Sequence, residues 1–326
     1  MSEWLVRARR SPMAIVVGLV LVLLVVNLAI TPEMLGPGQL PGTVKLLVPS
    51  VLAAMASVPS VMSGRGGIDL SVGPALGLVN VFLVGLLLPY GLGDALVAIP
   101  LLLALGSVIG LVNGLLVARL RLQPVVVTLG GYLVFSGVAL VVLPQPASGV
   151  PSWIGTLSGA WLGGFLPLPV VFVLVAVAVW LVLRRLGAVN LILATGSEDR
   201  AAFTSGVRVP RVLCLAYATG GFFAALAGLA LTVLIASGDP AAGRQYTLAA
   251  IAAVALGGNP LSGGRGTMTG PVLGAVALFL IQTLLSGARV SSLWIQVVYG
   301  LVLLGAICLN SSVGSRLTAR PVEVPR

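Results

Sequence analysis

The sequence predicts an all-α protein that crosses a membrane many times, because it is rich in apolar residues, poor in charge and divided into long apolar runs. Of its 326 residues, 58% are hydrophobic and only 8% are charged. A soluble domain carries roughly 25% charged residues, so this chain has too few charges to cover a water-exposed surface of its size. Lipid is therefore the expected solvent for most of its surface.

About ten apolar runs approach the roughly 20 residues that a membrane-crossing helix needs. The first follows a basic N-terminal flank, but no small-x-small cleavage site precedes Thr31, which predicts a retained helix and not a removed signal. The eighth is short and ends in glycines, which predicts a broken or re-entrant segment. The predicted spans are 13–30, 44–63, 70–89, 95–118, 125–143, 168–183, 211–235, 246–257, 269–286 and 293–310.

Basic residues are distributed unevenly between the two ends of these spans. With an inner N-terminus, the outer segments hold only three of the 18 basic residues, namely Lys45, Arg244 and Arg289. The positive-inside rule then predicts that both termini are cytoplasmic. The whole chain, 1–326, is expected to form one membrane domain, with residues 1–12 and 311–326 as its cytoplasmic ends.

Missing residue types exclude several function classes. The chain has no histidine, which rules out histidine-dependent triads and metal sites. Its one lysine, Lys45, follows Val44, so the chain has no P-loop and any ATP hydrolysis needs a separate subunit. Basic residues lie between apolar runs and form no basic face, which argues against nucleic-acid binding. The sequence therefore assigns no catalytic residue, cofactor or metal, and predicts a protein that is not an enzyme.

The first motif, Gly-Gly-Ile-Asp-Leu-Ser-Val-Gly, interrupts two apolar runs at residues 66–73. Its paired glycines permit a tight turn, and Asp69 or Ser71 is expected to cap the next helix. The alternative is a turn with a purely structural role. The candidate motif residues are Gly66, Gly67, Asp69, Ser71 and Gly73.

The second motif is the hydrophilic stretch 194–210, the longest predicted inner loop. Ser197 is expected to cap a short helix, with Glu198 and Asp199 in its first turn and Gly206 at its end. A short amphipathic helix at this place suits docking into a groove on another protein. A solvated connector is the alternative.

The third motif contains paired glycines at Gly257 and Gly258 and again at Gly263 and Gly264. A phosphate cradle would need a lysine and a preceding strand, and both are missing. Neighbouring small residues instead predict a closely packed break between two membrane helices. Upstream, Ser-Gly-Asp-Pro ends at Pro240 and predicts a turn.

Together with S-x-x-W-x-Q-V-V-x-G-L-V-L-L at residues 291–304, these motifs resemble the ribose-type permeases of bacterial ABC importers, in the branched-chain amino acid and sugar permease superfamily. The similarity covers about residues 45–310. It implies a ten-span bundle with an inverted pseudo-repeat, working as two identical or paralogous copies. It further implies two ABC ATPases inside, and a soluble binding protein outside that delivers a monosaccharide such as ribose, xylose, arabinose or galactose.

The resemblance also implies roles for particular residues. The stretch 194–210 corresponds to the helix that meets the ATPase, and its candidate contacts are Glu198, Asp199, Ala201, Ala202 and Gly206. Asp239 and Arg244 are candidate contacts for the binding protein, although Asp239 also fits a simple turn. Arg65 departs from the family pattern, which has a small residue before the paired glycines.

Three alternatives remain open at this point. The first is a permease for branched-chain amino acids or nucleosides within the same superfamily. The second is a secondary transporter or channel, which the near absence of ionisable residues inside the spans disfavours. The third is an integral membrane enzyme, which the missing histidines disfavour.

Overall fold

The computed structural model describes residues 12–36, 38–162, 166–291 and 293–318, and these residues form a bundle of α-helices. The helices are α1 (Pro12–Ile30), α2 (Leu40–Met62), α3 (Val72–Val81), α4 (Ala95–Arg119), α5 (Pro124–Val142), α6 (Ser152–Gly159), α7 (Val170–Arg185), α8 (Ala188–Ser197), α9 (Asp199–Thr204), α10 (Val209–Ile235), α11 (Gln245–Leu256), α12 (Thr269–Gly287) and α13 (Leu293–Thr318). A 3₁₀ turn (Pro32–Leu35) follows α1, and a π-helical turn (Phe82–Leu87) continues α3.

Two pairs of two-residue strands add a small β component that the sequence did not predict. β1 (Ala147–Ser148) pairs with β4 (Ser237–Gly238), and β2 (Trp161–Leu162) pairs with β3 (Leu166–Pro167), both antiparallel. The first pair joins the loop after α5 to the loop after α10, and the second pair lies within the loop between α6 and α7. The predicted all-α, multi-pass architecture is otherwise confirmed.

Each predicted span coincides with an apolar helix, but the helices differ in length. Six of them are long and apolar enough to cross a membrane, and α7 with α8 forms a further candidate that bends by 75°. Three apolar helices are shorter: α3 with its π-helical turn, α11, and the stretch Trp294–Ala306 of α13. The count of ten crossings therefore stays a prediction.

Helix α10 lies at the centre of the bundle and α1 at its edge. In the most apolar window of α10, 78% of the residues are buried, compared with 11% for α1. Helix α10 packs most extensively on α4 and α2. Against α4 the contact is through backbone, because a Cβ on Gly106 or Gly110 would overlap the carbonyl oxygen of Gly221 or Tyr217. Small residues at helical spacing allow this close approach between membrane helices.

The contacts divide the bundle into two ends. At the first, which we call the arginine-rich end, the end of α2, the segment 196–208 and the loop 257–268 meet. At the opposite end β1 pairs with β4, and the indole of Trp153 donates to the carbonyl of Gly93 at 2.7 Å. The predicted inner residues Arg7, Arg9, Arg10, Arg320 and Arg326 lie outside the described residues. The cytoplasmic placement of both termini therefore stays a prediction.

Helix α11 begins inside the bundle. After β4 the chain returns along α3, where the Asn80 amide donates to the Ser237 carbonyl at 2.8 Å and accepts from the Asp239 N–H at 2.8 Å. Gly243 then packs against Gly73 and Gly77, so α11 starts beside the first turns of α3. Its 12 residues extend about 18 Å, little more than half of a bilayer core about 30 Å thick. This is the short, interrupted eighth segment that the sequence predicts.

Candidate functional site

The first helix break connects α2 to α3 through residues 63–71. Gly64, Arg65 and Gly66 have positive φ angles of 82°, 57° and 64°, which reverse the chain tightly. The buried Asp69 carboxylate then accepts hydrogen bonds from the N–H and the hydroxyl of Ser71, at 2.9 and 2.6 Å. The break is thus closed by a local side-chain turn.

This geometry corrects the predicted cap of α3. Ser71 occupies the N-cap position, but its side chain makes no capping hydrogen bond. The Asp69 carboxylate does not reach the helix N–H groups either, because it is bound to Ser71 itself. The Ser71 hydroxyl instead accepts from the amide of Asn113 on α4 at 2.9 Å. A buried carboxylate needs hydrogen-bond partners, and here those bonds fasten the break to α4.

The second helix break, residues 257–268, connects α11 to α12. The side chain of Asn259 is buried and bonds both backbone groups of Thr267, at 2.9 Å to its carbonyl and 3.0 Å from its N–H. A Cβ on Gly257 would overlap the backbone of Gly270, and Gly258 has a φ of 81°. The predicted close packing of these glycines is therefore present.

The two breaks touch each other. The N–H of Gly264 donates to the carbonyl of Met62 at 3.1 Å. A Cβ on Gly263 would overlap the Cα of Gly64. The predicted glycine motifs, almost 200 positions apart in the chain, thus form one site at the arginine-rich end.

A sequence pattern shared by the two breaks also relates them, and the predicted motifs did not include it. The pattern G-G-x₅-G-P-x-L-G occurs at residues 66–77 and again at 263–274. In both copies the helix, α3 or α12, begins one residue before the Gly-Pro pair. Gly73 of the first copy packs on the start of α11, and Gly270 of the second packs on its end. The repeated glycines therefore hold α11 at both ends, whereas the inverted pseudo-repeat of the whole bundle stays a prediction.

The segment predicted to contact an ATPase rests on both breaks. It is not a loop, since α8 extends to Ser197 and α9 covers Asp199–Thr204. The predicted cap at Ser197 is wrong, because Ser197 is the last residue of α8 and its hydroxyl lies 2.9 Å from the carbonyl of Gly264. Glu198 takes the N-cap position in an extended conformation. Gly206 has a φ of 87° and follows the end of α9 as predicted.

An ion pair joins α9 to the first break. The Nε of Arg65 donates to the carboxylate of Asp199 at 2.9 Å, and both side chains are about a third exposed. Arg65, the departure from the family pattern, is thus the residue that connects the break to the segment. On α9, Ala202 is buried and Phe203 is exposed. The helix therefore has one face on the bundle and one face free.

A cavity of about 430 Å³ lies between α5, α11 and α13. Its walls are formed by Leu70, Leu129, Tyr132, Arg244, Gln245, Thr247, Leu248, Gln296 and Tyr299. Leu70 belongs to the first break, whereas Gln296 lies in the first turn of α13, which follows α12 at the opposite end. The cavity therefore extends from the opposite end of the bundle toward the first break.

The two predicted docking residues are not paired with each other. The Asp239 carboxylate accepts from the N–H of Ala241 at 2.7 Å, which makes a local turn. Arg244 is exposed and lines this cavity. Of the cavity residues, Leu70 and Gln296 lie within predicted motifs and Arg244 was a predicted docking residue, whereas no local pattern indicated Tyr132 or Tyr299.

The comparison with known families settles the class. Residues 42–307 match the model of the family described as "Branched-chain amino acid transport system / permease component". The chain belongs to this family. It is a multi-pass membrane protein of a group of transport subunits, as the sequence motifs suggested.

Several curated relatives cover most of this permease. It is 35% identical over 300 residues to the ribose import permease protein RbsC of Bacillus subtilis (strain 168), covering 90% of each chain. It is 35% identical over 274 residues to RbsC of Escherichia coli (strain K12), covering 80% of this chain and 83% of the relative. The autoinducer 2 import system permease protein LsrD of Yersinia enterocolitica is 33% identical over 225 residues, 67% of each chain. No solved structure gives a significant match.

Proposed function

We propose that this permease is the membrane-spanning subunit of an ABC importer that moves a monosaccharide of the ribose, xylose, arabinose or galactose kind. It acts as a ten-span subunit of the bacterial inner membrane, with both termini in the cytoplasm. Two copies, or this chain and a paralogue, enclose the pathway. The main support for the proposal is the anchoring of α9 on both helix breaks. The sequence identity to ribose import permeases supports the substrate class.

In this function α9 is the contact for the ATPase. Its exposed face carries Ala201 and Phe203, and its other face rests on the bundle through Ala202. A short helix with one free face suits a groove on a partner. Glu198 then sets where the helix begins. Asp199 anchors the helix to the first break, and Gly206 sets where the helix ends.

The anchoring supplies a mechanical route from the ATPase to the pathway. A displacement of α9 acts on the first break through Arg65 and on the second through the Ser197 to Gly264 hydrogen bond. The second break continues into α11, whose two ends are held against the glycines of α12 and α3. Closely packed interiors transmit strain because they contain little free volume. Movement of α9 therefore changes the position of α11.

The soluble binding protein docks at the opposite end of the bundle. Arg244 is exposed and Asp239 lies in the connection between β4 and α11. Charged residues at the rim of an interface mainly set the encounter rate and the register. We assign Asp239 and Arg244 to this contact.

Reconstitution tests the proposal. The permease is placed in liposomes with the ATPase and the binding protein of its importer, and uptake of labelled D-ribose is followed. We expect uptake only with ATP, the ATPase and the binding protein together. Uptake that continues without the ATPase would identify a secondary transporter or channel and refute the proposal.

A further inference from the structure

A second cavity, of about 640 Å³, lies at the arginine-rich end, where the first break, the end of α4, α9 and the start of α10 meet. We call it the basic cavity, and we propose that it binds the phosphate group of an anionic phospholipid of the surrounding membrane. Its volume falls within the range of roughly 300–1,000 Å³ that is usual for small-molecule sites. The inference goes beyond the import function, because lipid binding requires neither the ATPase nor a transported solute.

The charges in the wall of the basic cavity are unbalanced, because it contains three arginines and one carboxylate. The carboxylate of Asp199 is already bound by Arg65. Arg121 and Arg200 are exposed, and neither side chain makes a hydrogen bond or an ion pair with another described residue. A guanidinium group can bind two phosphate oxygens at once. Two arginines are therefore available to a phosphate in this cavity.

The start of α10 gives a second indication that an anion is missing. Val209 and Pro210, the first residues of this helix of 27 residues, lie in the cavity wall. The positive end of a helix dipole is normally accompanied by an acidic residue or a side-chain cap. Helix α10 has neither, and Arg208 occupies its N-cap position. A helix start with this charge is stabilised by an anion from outside the chain.

The apolar surroundings of the arginines separate a lipid from a soluble anion. Val209 and Leu213 are buried in the cavity wall. On either side of Arg121, Leu120 and Leu122 are 61% and 44% exposed, where α4 and α5 meet, and both helices are long enough to cross a membrane. The ends of such helices lie near the headgroups, so these leucines can contact acyl chains. A free phosphate makes no use of that surface, whereas basic pockets between membrane helices bind phospholipid headgroups.

The ATPase is the other candidate for this surface, because Arg200 belongs to α9. However, Ala118 and Leu213 of the same wall belong to α4 and α10, which are both long enough to cross a membrane. The basic cavity thus extends from α9 to the ends of two membrane helices, where lipid is the neighbouring molecule. A phosphate bound by Arg121 and Arg200 joins α9 to the end of α4.

The experiment titrates lipid into the purified full-length permease in detergent, and native mass spectrometry gives the dissociation constant of each bound lipid. The lipids are anionic dioleoyl-phosphatidylglycerol and, in parallel, zwitterionic dioleoyl-phosphatidylcholine. The test variant combines Arg121→Gln with Arg200→Gln. A basic residue near an anionic lipid contributes a factor of roughly 5 to the affinity. We therefore expect the test variant to bind its first phosphatidylglycerol roughly 25-fold more weakly than wild type, with phosphatidylcholine binding unchanged.

The control variant combines Arg289→Gln with Arg184→Gln, which removes the same charge from exposed arginines outside the cavity. Arg289 is matched to Arg121, since each follows the C-cap of a long apolar helix, with φ angles of 57° and 54°. The control should bind both lipids as wild type does. Equal weakening in the two double variants would overturn the inference, because general charge attraction would then be sufficient.

Two further results would overturn the inference. If inorganic phosphate at the same concentration displaces phosphatidylglycerol, the cavity is a site for a free anion. If the permease loses its tightest phosphatidylglycerol when the ATPase is bound, the arginines belong to the ATPase contact. Lipid binding by the permease alone depends on neither uptake nor the ATPase, so its failure is distinguishable from a failure of the proposed function.

Discussion

The two helix breaks of this permease share a sequence pattern and meet in space, but they are held by different chemistry. The first is closed by the buried carboxylate of Asp69. The Arg65–Asp199 ion pair joins it to residues 196–208, which we call the α9 segment. The second is closed by the neutral amide of Asn259 and is joined to the same segment by the Ser197 hydroxyl. The link from the first break to α9 is thus an ion pair and the link from the second is a neutral hydrogen bond, so charge changes should act mainly on the first link.

The largest effect is expected where the breaks and the α9 segment meet, at Gly196. A Cβ there would overlap the carbonyl of Met62, and Gly264 lies 2.7 Å from the same point. Overpacking of a close contact costs about 1–3 kcal/mol, and here backbone atoms would have to move. Gly196→Val should therefore lower the melting temperature of the purified permease and abolish uptake.

Gly155→Val is the control for this variant, because nothing lies within 4 Å of a Cβ at that helical glycine. Equal melting temperatures for the two variants would contradict the close packing of the breaks.

The second-largest effect is expected at Gly206, which follows α9 and lies outside both breaks. Gly206→Val should abolish uptake and co-purification of the ATPase, because a β-branched residue is strained at a φ of 87° and α9 would end differently. Membrane insertion should stay normal, since no atom lies within 4 Å of a Cβ at Gly206. Pull-down of the ATPase on the tagged permease measures the effect.

Gly91→Val is matched to this variant, with a φ of 72° and equally open space, but it lies in the loop between α3 and α4. The assignment of α9 to the ATPase contact fails if both variants retain the ATPase to the same extent.

A third prediction compares the two side chains that close the breaks. Asp69→Ala leaves the buried N–H of Ser71 without its acceptor, which costs about 1–3 kcal/mol. Asp69→Asn keeps an acceptor oxygen and should cost less. Denaturation of the purified permease in detergent gives both values. If Asp69→Asn is as unstable as Asp69→Ala, the charge is required and not only the hydrogen bonds.

The fourth prediction concerns the links to α9. Arg65→Asp and Asp199→Arg should each lower sugar-stimulated ATPase activity several-fold, and the double variant should recover much of it. The expected change in stability is small, about 0.2–1 kcal/mol, because both side chains are about a third exposed. Ser197→Ala removes the neutral link. Its effect on ATPase activity should not depend on salt concentration, whereas the effect of breaking the ion pair should. No recovery in the double variant would show that the pair does not transmit the coupling.

The smallest effect is expected at Asp239 and Arg244, in the connection between β4 and α11. Reversing the charges of Asp239 and Arg244 should slow delivery by the binding protein and alter its salt dependence, because rim charges steer the encounter. Binding-protein-stimulated ATPase activity across a salt series measures it. Identical activity at every salt concentration would mean that docking does not use these residues. The Ala241→Gly variant controls for a change in the local turn.

Much of the fold followed from the sequence because lipid imposes simple local requirements. A chain in a bilayer must satisfy its backbone hydrogen bonds within helices, so the apolar runs predicted most of the membrane helices to within a few residues. Paired glycines likewise marked the breaks, and Gly206 marked the end of α9. The capping predictions at Ser197 and Ser71 were wrong. Ser197 is the last residue of α8, where its hydroxyl lies 2.9 Å from the carbonyls of both Leu193 and Gly264. The Ser71 hydroxyl accepts from Asn113, which is distant in the sequence.

The sequence by itself determined that this protein is a polytopic helical permease with two glycine-rich breaks and a polar helical segment between them. Only the tertiary structure decided that the breaks touch, that Arg65 binds Asp199 across 134 positions, and that Tyr132, Gln296 and Arg244 share one cavity. The physical reason is that helix formation and chain reversal depend on neighbouring residues. Contacts between helices depend on how whole surfaces pack, and no local pattern specifies that.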